Sequence, residues 1–208
     1  MDGILISSLG SVERSWTRWA AMRGIDRERT FQVMHGRRAI ETIELLAPEL
    51  DSRAELKIIE DIEIADKDGL RALPGVCDLL RSLPGDRWTV VTSATEKLAR
   101  VRLADAGIPV PAHLVTADQV TRGKPHPEPF LAGAALLGFN PHHCVVFEDS
   151  ASGTIAGREA GCTVVATTFS HAAEDLKAAH YLIEDLTGVS AEVDENSIAL
   201  NLGSASRQ

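Results

Sequence analysis

The sequence predicts an α/β protein in which a block of helices precedes a parallel β-sheet flanked by further helices. Residues 10–70 carry helical hydrophobic stripes and no convincing strand. From Pro74 onward, short apolar, β-branched runs alternate with helical segments of about 10 to 15 residues. Such alternation is typical of parallel strands joined by right-handed crossover helices.

The composition is that of an ordinary globular protein. Of 208 residues, 44% are hydrophobic, and 21 basic against 30 acidic side chains give a formal net charge of −9. This length suffices for one core domain and a smaller inserted one. Because an acidic chain without a basic stripe is repelled by phosphate backbones, we expect no nucleic-acid partner. No run of apolar residues approaches the length of a membrane-spanning helix, and the N-terminus lacks signal-peptide features, so we expect no membrane partner and a cytoplasmic location. We also expect a monomer or weak homodimer.

Three hydrophobic stripes define the first block of helices. Their members recur three or four residues apart, and they are Val12, Trp16 and Trp19, then Ile40, Ile43 and Leu46, then Leu56, Ile59 and Ile62. Because the opposite faces are charged, these helices are expected to pack against one another by one face each. Residues 69–75, which include Pro74, are typical of a linker to the sheet region.

The second half of the chain contains five strand-like runs. They lie at 88–92, 113–116, 144–147, 163–166 and 181–183, with helices expected at 76–83, 95–107, 129–137 and 152–161. Residues 190–208, rich in Ser, Ala, Asn and Gly, are expected to form a flexible tail.

Polar and charged residues follow the apolar runs. In open α/β sheets the site lies at the carboxyl ends of the strands, so these residues are candidates for chemistry. In chain order they are Asp2, then Thr92 and Ser93, then Lys124, then Glu148 and Asp149. Taken singly, each also fits a helix cap, a solvated lysine or a carboxylate that complements a helix dipole. Together they suit phosphoryl transfer, which requires positioning and neutralisation of charge on the transferred oxygens.

Each of these residue types has a role in such a reaction. Asp149, with Glu148 beside it, can hold Mg²⁺, a hard cation that takes carboxylate, water and phosphate oxygens. Lys124 supplies a fixed positive charge, and the Ser93 hydroxyl can donate to a phosphate oxygen. Asp2, which has no base near it in the sequence, can protonate a leaving alcohol and later take a proton from water.

Four segments resemble the motifs of the haloacid dehalogenase superfamily. They are Met-Asp-Gly-Ile-Leu-Ile-Ser-Ser at 1–8, Val-Val-Thr-Ser at 90–93, Gly-Lys-Pro-His-Pro-Glu-Pro-Phe at 123–130, and Val-Phe-Glu-Asp-Ser-Ala-Ser-Gly at 146–153. The chain is most similar to the capped members that act on glycerol phosphate and 2-deoxyglucose 6-phosphate, and the similarity extends to about residue 189. Segments 12–16 and 35–38 also resemble these sugar and polyol phosphatases.

The resemblance implies an architecture and an activity. It implies a Rossmann-like core formed by residues 1–9 and 71–189, with an all-helical cap at 10–70 inserted after the first motif. The implied reaction is Mg²⁺-dependent hydrolysis of a small sugar or polyol phosphate monoester through an aspartyl-phosphate intermediate.

The resemblance also assigns residues. Asp2 corresponds to the general acid and base, and its backbone carbonyl corresponds to a metal ligand alongside the Glu148 and Asp149 pair. Ser93 and Lys124 correspond to the groups that hold the phosphate. The cap of such enzymes sets substrate choice, and the candidate substrate-binding residues are Arg38, His35 and Glu13 in the cap and Thr92 in the core.

The first motif of the family, Asp-x-Asp-Gly, is incomplete here. Its second Asp corresponds to Asp2 and x to Met1, so the attacking Asp is not in the sequence, and neither is the central strand that precedes it. Losing that strand would leave unpaired strands around an empty slot. We expect either that translation starts upstream of Met1, which we favour, or that the chain is truncated and inactive. Without the attacking Asp, the chain is expected to form no phosphoaspartate. Its α-amino group, with a pKa of about 7.7, places positive charge where a carboxylate should hold Mg²⁺, so we expect magnesium binding to be weakened.

Two alternative functions remain open at this point. A sugar phosphomutase would use the same motifs and would differ in cap residues that hold a second phosphate. A non-catalytic sugar-phosphate-binding protein is the alternative if the short N-terminus is genuine.

Overall fold

The computed structural model describes residues 1–34, 36–195 and 197–208. Helices α1 to α8 span Leu9–Arg23, Arg27–Met34, Ala39–Leu46, Ser52–Ala65, Val76–Ser82, Glu96–Asp105, Glu128–Leu137 and Ala151–Glu159. Strands β1 to β8 span Ile6–Ser7, Arg71–Ala72, Val145–Glu148, Thr163–Thr167, Tyr181–Ile183, Ser190–Val193, Ile198–Asn201 and Ser206–Arg207. None of the helices among the described residues combines the length and the apolar character needed to cross a membrane.

Helices α1 to α4, called here the helical block, pack around their own apolar cluster. The cluster includes Trp16, Trp19, Ile43 and Ile59, which are the stripe residues expected from the sequence. The two tryptophan rings meet edge to face with centroids 5.5 Å apart, a favourable aromatic geometry. The tryptophans therefore stabilise the interior of the block.

The main sheet has the strand order β3-β4-β5-β8. Strands β3, β4 and β5 are parallel, with Val146 opposite Val164 and Ala166 opposite Leu182. Helix α8 packs on this sheet so closely that a Cβ built on Gly157 would lie 2.9 Å from Val164 Cγ2. The parallel α/β class expected from the sequence is confirmed.

The runs at 88–92 and 113–116 are extended but form only one parallel bridge, between Val91 and Val115, among the described residues. The Thr92 N–H donates to the Val115 carbonyl at 2.9 Å. On the other side, strand β3 is the edge of the main sheet. An apolar cavity of about 570 Å³, lined by Val90, Val91 and residues 145–147, separates the two edges. The cavity therefore lies between the extended segment at 88–92 and the edge strand β3.

Three strand pairings were not anticipated from the sequence. Strand β1 pairs antiparallel with β2, so the two chain segments that connect the helical block to the sheet region form a short ladder. Residues 190–208, expected to be flexible, instead contain the antiparallel β6–β7 hairpin and strand β8, which pairs with β5. Ala191, Leu202 and Ala205 pack against the core, and this apolar contact was hidden by the polar composition of the segment.

Candidate active site

A cavity of about 150 Å³ lies between the helical block and the sheet region. Asp2, Ser93, Lys124 and Asp149 all line it, although they come from four distant segments of the chain. The residues that the sequence places after successive apolar runs therefore meet at one site. Enclosed clusters of titratable groups of this kind are typical of catalytic centres.

The Asp149 carboxylate lies against the backbone at Gly3. Gly3 has a φ of 70°, and a Cβ built on it would lie 1.9 Å from Asp149 Oδ2. Only glycine fits here, because a side chain would be both strained and in collision with the carboxylate. The Ser170 hydroxyl donates a hydrogen bond to Asp149 Oδ2 from the other side. Burial and the neighbouring Glu148 raise the pKa of Asp149 to about 6, despite that hydrogen bond.

Glu148 faces Lys124. The Lys124 ammonium donates to Glu148 Oε1 in an ion pair whose two side chains are both buried. Glu148 Oε2 accepts hydrogen bonds from the Asp149 N–H at 3.1 Å and from the Ser150 hydroxyl at 3.1 Å. Both carboxylate oxygens are thus engaged, so these contacts do not support the expected role of Glu148 as a metal ligand. They favour a role in fixing Lys124.

Asp2 is paired with a base that the sequence did not reveal. Its Oδ1 accepts a hydrogen bond from the Ser8 hydroxyl at 2.6 Å and from Arg102 Nη1 at 3.1 Å. Burial by itself would raise the pKa of Asp2, but Arg102, the nearby α-amino group and the Ser8 hydroxyl together lower it below its usual value. Arg102 also contacts Glu63 of the helical block, with Nη2 3.2 Å from Oε1.

Thr92 and Ser93 stand at the junction with the helical block. The Ser93 hydroxyl donates to the Gly36 carbonyl at 3.3 Å, and the Ser152 hydroxyl donates to the same carbonyl at 3.3 Å. Thr92 is buried, and its Oγ1 accepts from the Ala94 N–H at 3.2 Å. Both residues line the cavity, where Ser93 can exchange its weak contact with Gly36 for a ligand oxygen.

The α-amino group of Met1 is buried beside the same charged groups. Burial and Lys124 lower its pKa, while Asp2, Glu148 and Asp149 oppose that shift. The pKa of this amino group is therefore lower than the ordinary value assumed from the sequence. A residue attached to this nitrogen would lie at the cavity, which Met1 lines.

Arg38 and Glu13 are the described candidates for substrate binding in the helical block. Arg38 donates to Glu41 and to the carbonyls of Val120 and Thr121 at 3.0 Å each, so it ties the block to the sheet region. Among the residues that the structure describes, neither Arg38 nor the exposed Glu13 lines the cavity. His35 lies outside the described residues. These contacts do not support direct substrate binding by Arg38 or Glu13.

Residues that sequence reasoning missed include Arg102, Glu63, Ser170 and Arg37, all of which line the cavity. A signal existed for two of them. Arg102 falls on the buried face of α6 with Leu98, and Glu63 falls four residues after Ile59 on the buried face of α4. A charged residue within an apolar stripe is rarely buried without a partner, so such a position indicates an ion pair or a site.

Comparisons with known proteins agree with the fold. The haloacid dehalogenase-like hydrolase family matches residues 1–161. Hexitol phosphatase A of Escherichia coli (strain K12) is 42% identical over 171 residues, covering 80% of this chain and 79% of that protein. Glycerol-1-phosphate phosphohydrolase 2 of Saccharomyces cerevisiae is 33% identical over 215 residues, covering 94% and 86%. A solved β-phosphoglucomutase from Clostridium difficile has a TM-score of 0.75 at 21% identity, covering 89% of this chain and 88% of that chain, a likeness of fold alone.

The fold and the site define an α/β enzyme with a buried cluster of carboxylates and one lysine at its strand ends. The chain belongs to the haloacid dehalogenase-like hydrolase family, and its similarity is to the phosphatases of that family. The resemblance stated from the four sequence motifs is confirmed.

Proposed function

We propose that the protein hydrolyses a small sugar or polyol phosphate monoester with Mg²⁺ through an aspartyl-phosphate intermediate. The observation that carries this proposal is the convergence of Asp2, Ser93, Lys124 and Asp149 on one cavity. Relatives named as a hexitol phosphatase and a glycerol-1-phosphate phosphohydrolase support the substrate class. We propose that the helical block is the cap that encloses the substrate.

The donor groups present fit a magnesium ion. The described residues contain no group of three or more His, Cys, Asp or Glu side chains that could hold a metal ion. Magnesium, however, usually keeps several waters and takes one or two carboxylates plus phosphate oxygens. Asp149 would provide the carboxylate, and the backbone carbonyl of Asp2, next to Gly3, would provide a second oxygen. When bound, the ion neutralises charge on the phosphate oxygens.

The remaining groups act on the substrate and its protons. Lys124, held by Glu148, is positioned to place its charge on a phosphate oxygen, and the Ser93 hydroxyl donates to another. Asp2 gives a proton to the leaving alcohol and then takes one from water. Its pairing with Arg102 favours the ionised carboxylate, the form required for the second of these steps.

The test compares two proteins that differ only in what precedes Met1. One is the 208-residue chain, and the other carries an N-terminal apolar, β-branched strand that ends in Asp directly before Met1. With Mg²⁺, the extended protein is expected to release phosphate from a hexitol phosphate, and an extension ending in Asn is expected to be inactive. Asp2→Asn in the extended protein should lower the rate by roughly 10²- to 10⁴-fold.

The same N-terminal extension also tests whether a strand fits into the apolar cavity beside β3. A strand seated between β3 and Val91 would fill the apolar cavity and raise the midpoint of urea unfolding, whereas a Gly/Ser extension of equal length would not. If the apolar extension stabilises the protein and the phosphate site binds inorganic phosphate, yet no ester is hydrolysed, the proposed reaction is wrong. Binding without turnover would then identify a sugar-phosphate-binding protein.

The phosphomutase alternative requires a cation in the helical block for a second phosphate. The candidate Arg38 is engaged with Glu41 and two carbonyls, so the exposed Arg37, which lines the cavity, is the arginine left for that role. Conversion of a sugar 1-phosphate to its 6-phosphate without net phosphate release would reverse this choice.

A further inference from the structure

Helix α4 carries two buried glutamates, each paired with an arginine from another helix. Glu55 pairs with Arg23, and the contact is bidentate, with distances of 2.9 Å for Nε–Oε2 and 2.8 Å for Nη2–Oε1. The Trp19 indole N–H adds a third hydrogen bond to Oε2 at 2.8 Å. This pair is saturated, and neither Glu55 nor Arg23 is among the described residues that line the cavity. Its role is to hold the helical block together.

The second pair, Glu63 and Arg102, is not saturated with hydrogen bonds. Glu63 is 5% and Arg102 is 3% exposed, yet they share a single hydrogen bond of 3.2 Å, from Nη2 to Oε1. Arg102 Nη1 donates to Asp2, and Arg102 Nε is buried without a hydrogen-bond partner in the described part of the chain. A buried donor left unsatisfied costs about 1 to 3 kcal/mol, so a ligand that accepts from it gains affinity.

The position of this pair relative to the reacting groups identifies what it can bind. Glu63 and Arg102 line the same cavity as Lys124 and Asp149, and Arg102 contacts Asp2, the proposed proton donor to the leaving alcohol. A leaving alcohol that takes its proton from Asp2 would therefore lie beside Arg102, which is 3.1 Å from the Asp2 carboxylate. A carboxylate accepts from a hydroxyl and a guanidinium donates to one, so together they match neighbouring hydroxyl groups.

Charge at this end of the cavity selects against a second anion. Glu60, one turn before Glu63 on α4, also lines the cavity and accepts hydrogen bonds from Thr95 and Lys97. A second phosphate or a carboxylate on the substrate would meet Glu60 and Glu63, with Arg102 already shared between Glu63 and Asp2. The exposed Arg37 also lines the cavity, but it lies between α2 and α3 and not on α4 or α6. Like charges in a low-dielectric cavity repel strongly.

We propose that Glu63 and Arg102 bind the hydroxyl groups of the substrate beyond its phosphate, and that they select a neutral polyol or sugar over a second anionic group. The proposal rests on the proposed function, since it extends the same site. It assigns substrate recognition to the junction of α4 and α6.

The experiment measures ligand binding to the 208-residue chain by calorimetry, so its result does not depend on turnover. The probes are a hexitol monophosphate, a hexitol bisphosphate and inorganic phosphate, and the variants are Glu63→Gln and Arg102→Lys. Glu55→Gln is the matched control, because it alters a buried glutamate with an arginine partner on the same helix but away from the cavity. Thermal unfolding of each variant establishes that it is folded.

We expect the unaltered chain to bind the hexitol monophosphate about tenfold or more tightly than inorganic phosphate, the equivalent of one charge-assisted hydrogen bond. Glu63→Gln should remove most of that advantage and improve binding of the bisphosphate, while the affinity for inorganic phosphate stays within about twofold. Glu55→Gln should change none of these affinities.

The inference is overturned if Glu63→Gln retains the full hexitol advantage, or if the unaltered chain shows no such advantage while it binds inorganic phosphate. Failure of the unaltered chain to bind inorganic phosphate at all would contradict the proposed function itself, and this inference with it. If Arg102→Lys does not fold, Glu63→Gln alone decides the outcome.

Discussion

The Lys124 ammonium and the Glu148 carboxylate form a buried ion pair that joins the loop before α7 to the end of β3. The Lys124 nitrogen also lies 5.0 Å from the centre of the Phe130 ring. Because both charged groups are largely shielded from water, each depends mainly on the other for its solvation.

Removing one partner of this pair should destabilise the protein strongly. Lys124→Met leaves the Glu148 carboxylate uncompensated, and Glu148→Gln leaves the ammonium uncompensated, so each should cost about 3 to 5 kcal/mol of unfolding free energy. The double variant should lose clearly less than the sum of the two. Urea unfolding of the three variants measures this coupling, and strictly additive losses would show that the pair is not mutually compensating.

Gly3→Ala should disturb the Asp149 carboxylate. Gly24→Ala is the control, because Gly24 also has a positive φ, 65°, but a Cβ there meets nothing within 4 Å. The control should cost about 1 to 2 kcal/mol from backbone strain alone. Gly3→Ala should cost about 1 to 3 kcal/mol more, as overpacking does, and should weaken magnesium binding measured by calorimetry. Equal losses in both variants would argue against the close contact between Gly3 and Asp149.

Stability should fall with rising pH through the titration of Glu63. Burial raises the pKa of Glu63 from its ordinary 4.5 to about 7, although the nearby Arg102 opposes the shift. Because the folded state favours the protonated form, this contribution to stability is fully present below about pH 4.5 and is lost as the pH rises to 7. Glu63→Gln, which cannot ionise, should show a flatter profile of unfolding free energy across that window. Asp149 titrates in both proteins, so the difference between their profiles isolates Glu63.

The titration of Glu55 should change the unfolding free energy with pH in the opposite direction to that of Glu63. The hydrogen bond from Arg23 lowers the pKa of Glu55 although burial opposes it, so its contribution to stability is present at neutral pH and is lost on acidification. Glu55→Gln should therefore cost most at neutral pH and progressively less in acid. The same urea titrations test this, and a cost that grows in acid would contradict the contribution of the Arg23 pair.

Two neighbouring arginines should separate structural from binding roles. Arg37 is exposed and lines the cavity, whereas Arg38 bonds to Glu41 and to the carbonyl groups of Val120 and Thr121. Arg38→Ala should lower the unfolding free energy but change the affinity for a hexitol phosphate by less than about twofold. Arg37→Ala should do the reverse and weaken that affinity up to about fivefold, as loss of an exposed charge pair does. The opposite pattern would return Arg38 to the substrate site.

The elements of the fold that depend on local pattern were predicted well. The stripes that contain Trp16 and Ile43 lie in helices, and the β-branched runs at 163–166 and 181–183 lie in parallel strands. The hairpin of β6 and β7 was not predicted, because its strands have only four residues each and lie in a segment rich in Ser, Ala, Asn and Gly. Ala191 of β6 packs against the core. The local amino-acid composition does not indicate such contacts with the core.

The sequence by itself determined which residue types reach the site. Ser93 and Asp149 were identified because polar residues that directly follow apolar runs meet at one edge of a parallel sheet, and Asp2 and Lys124 were identified with them from the motifs at 1–8 and 123–130. Only the tertiary structure decided their partners, such as Arg102 for Asp2, 100 residues apart, and Glu148 for Lys124, 24 residues apart. Ion pairing depends on distance in space and on exclusion of water, and packing of whole elements sets both quantities.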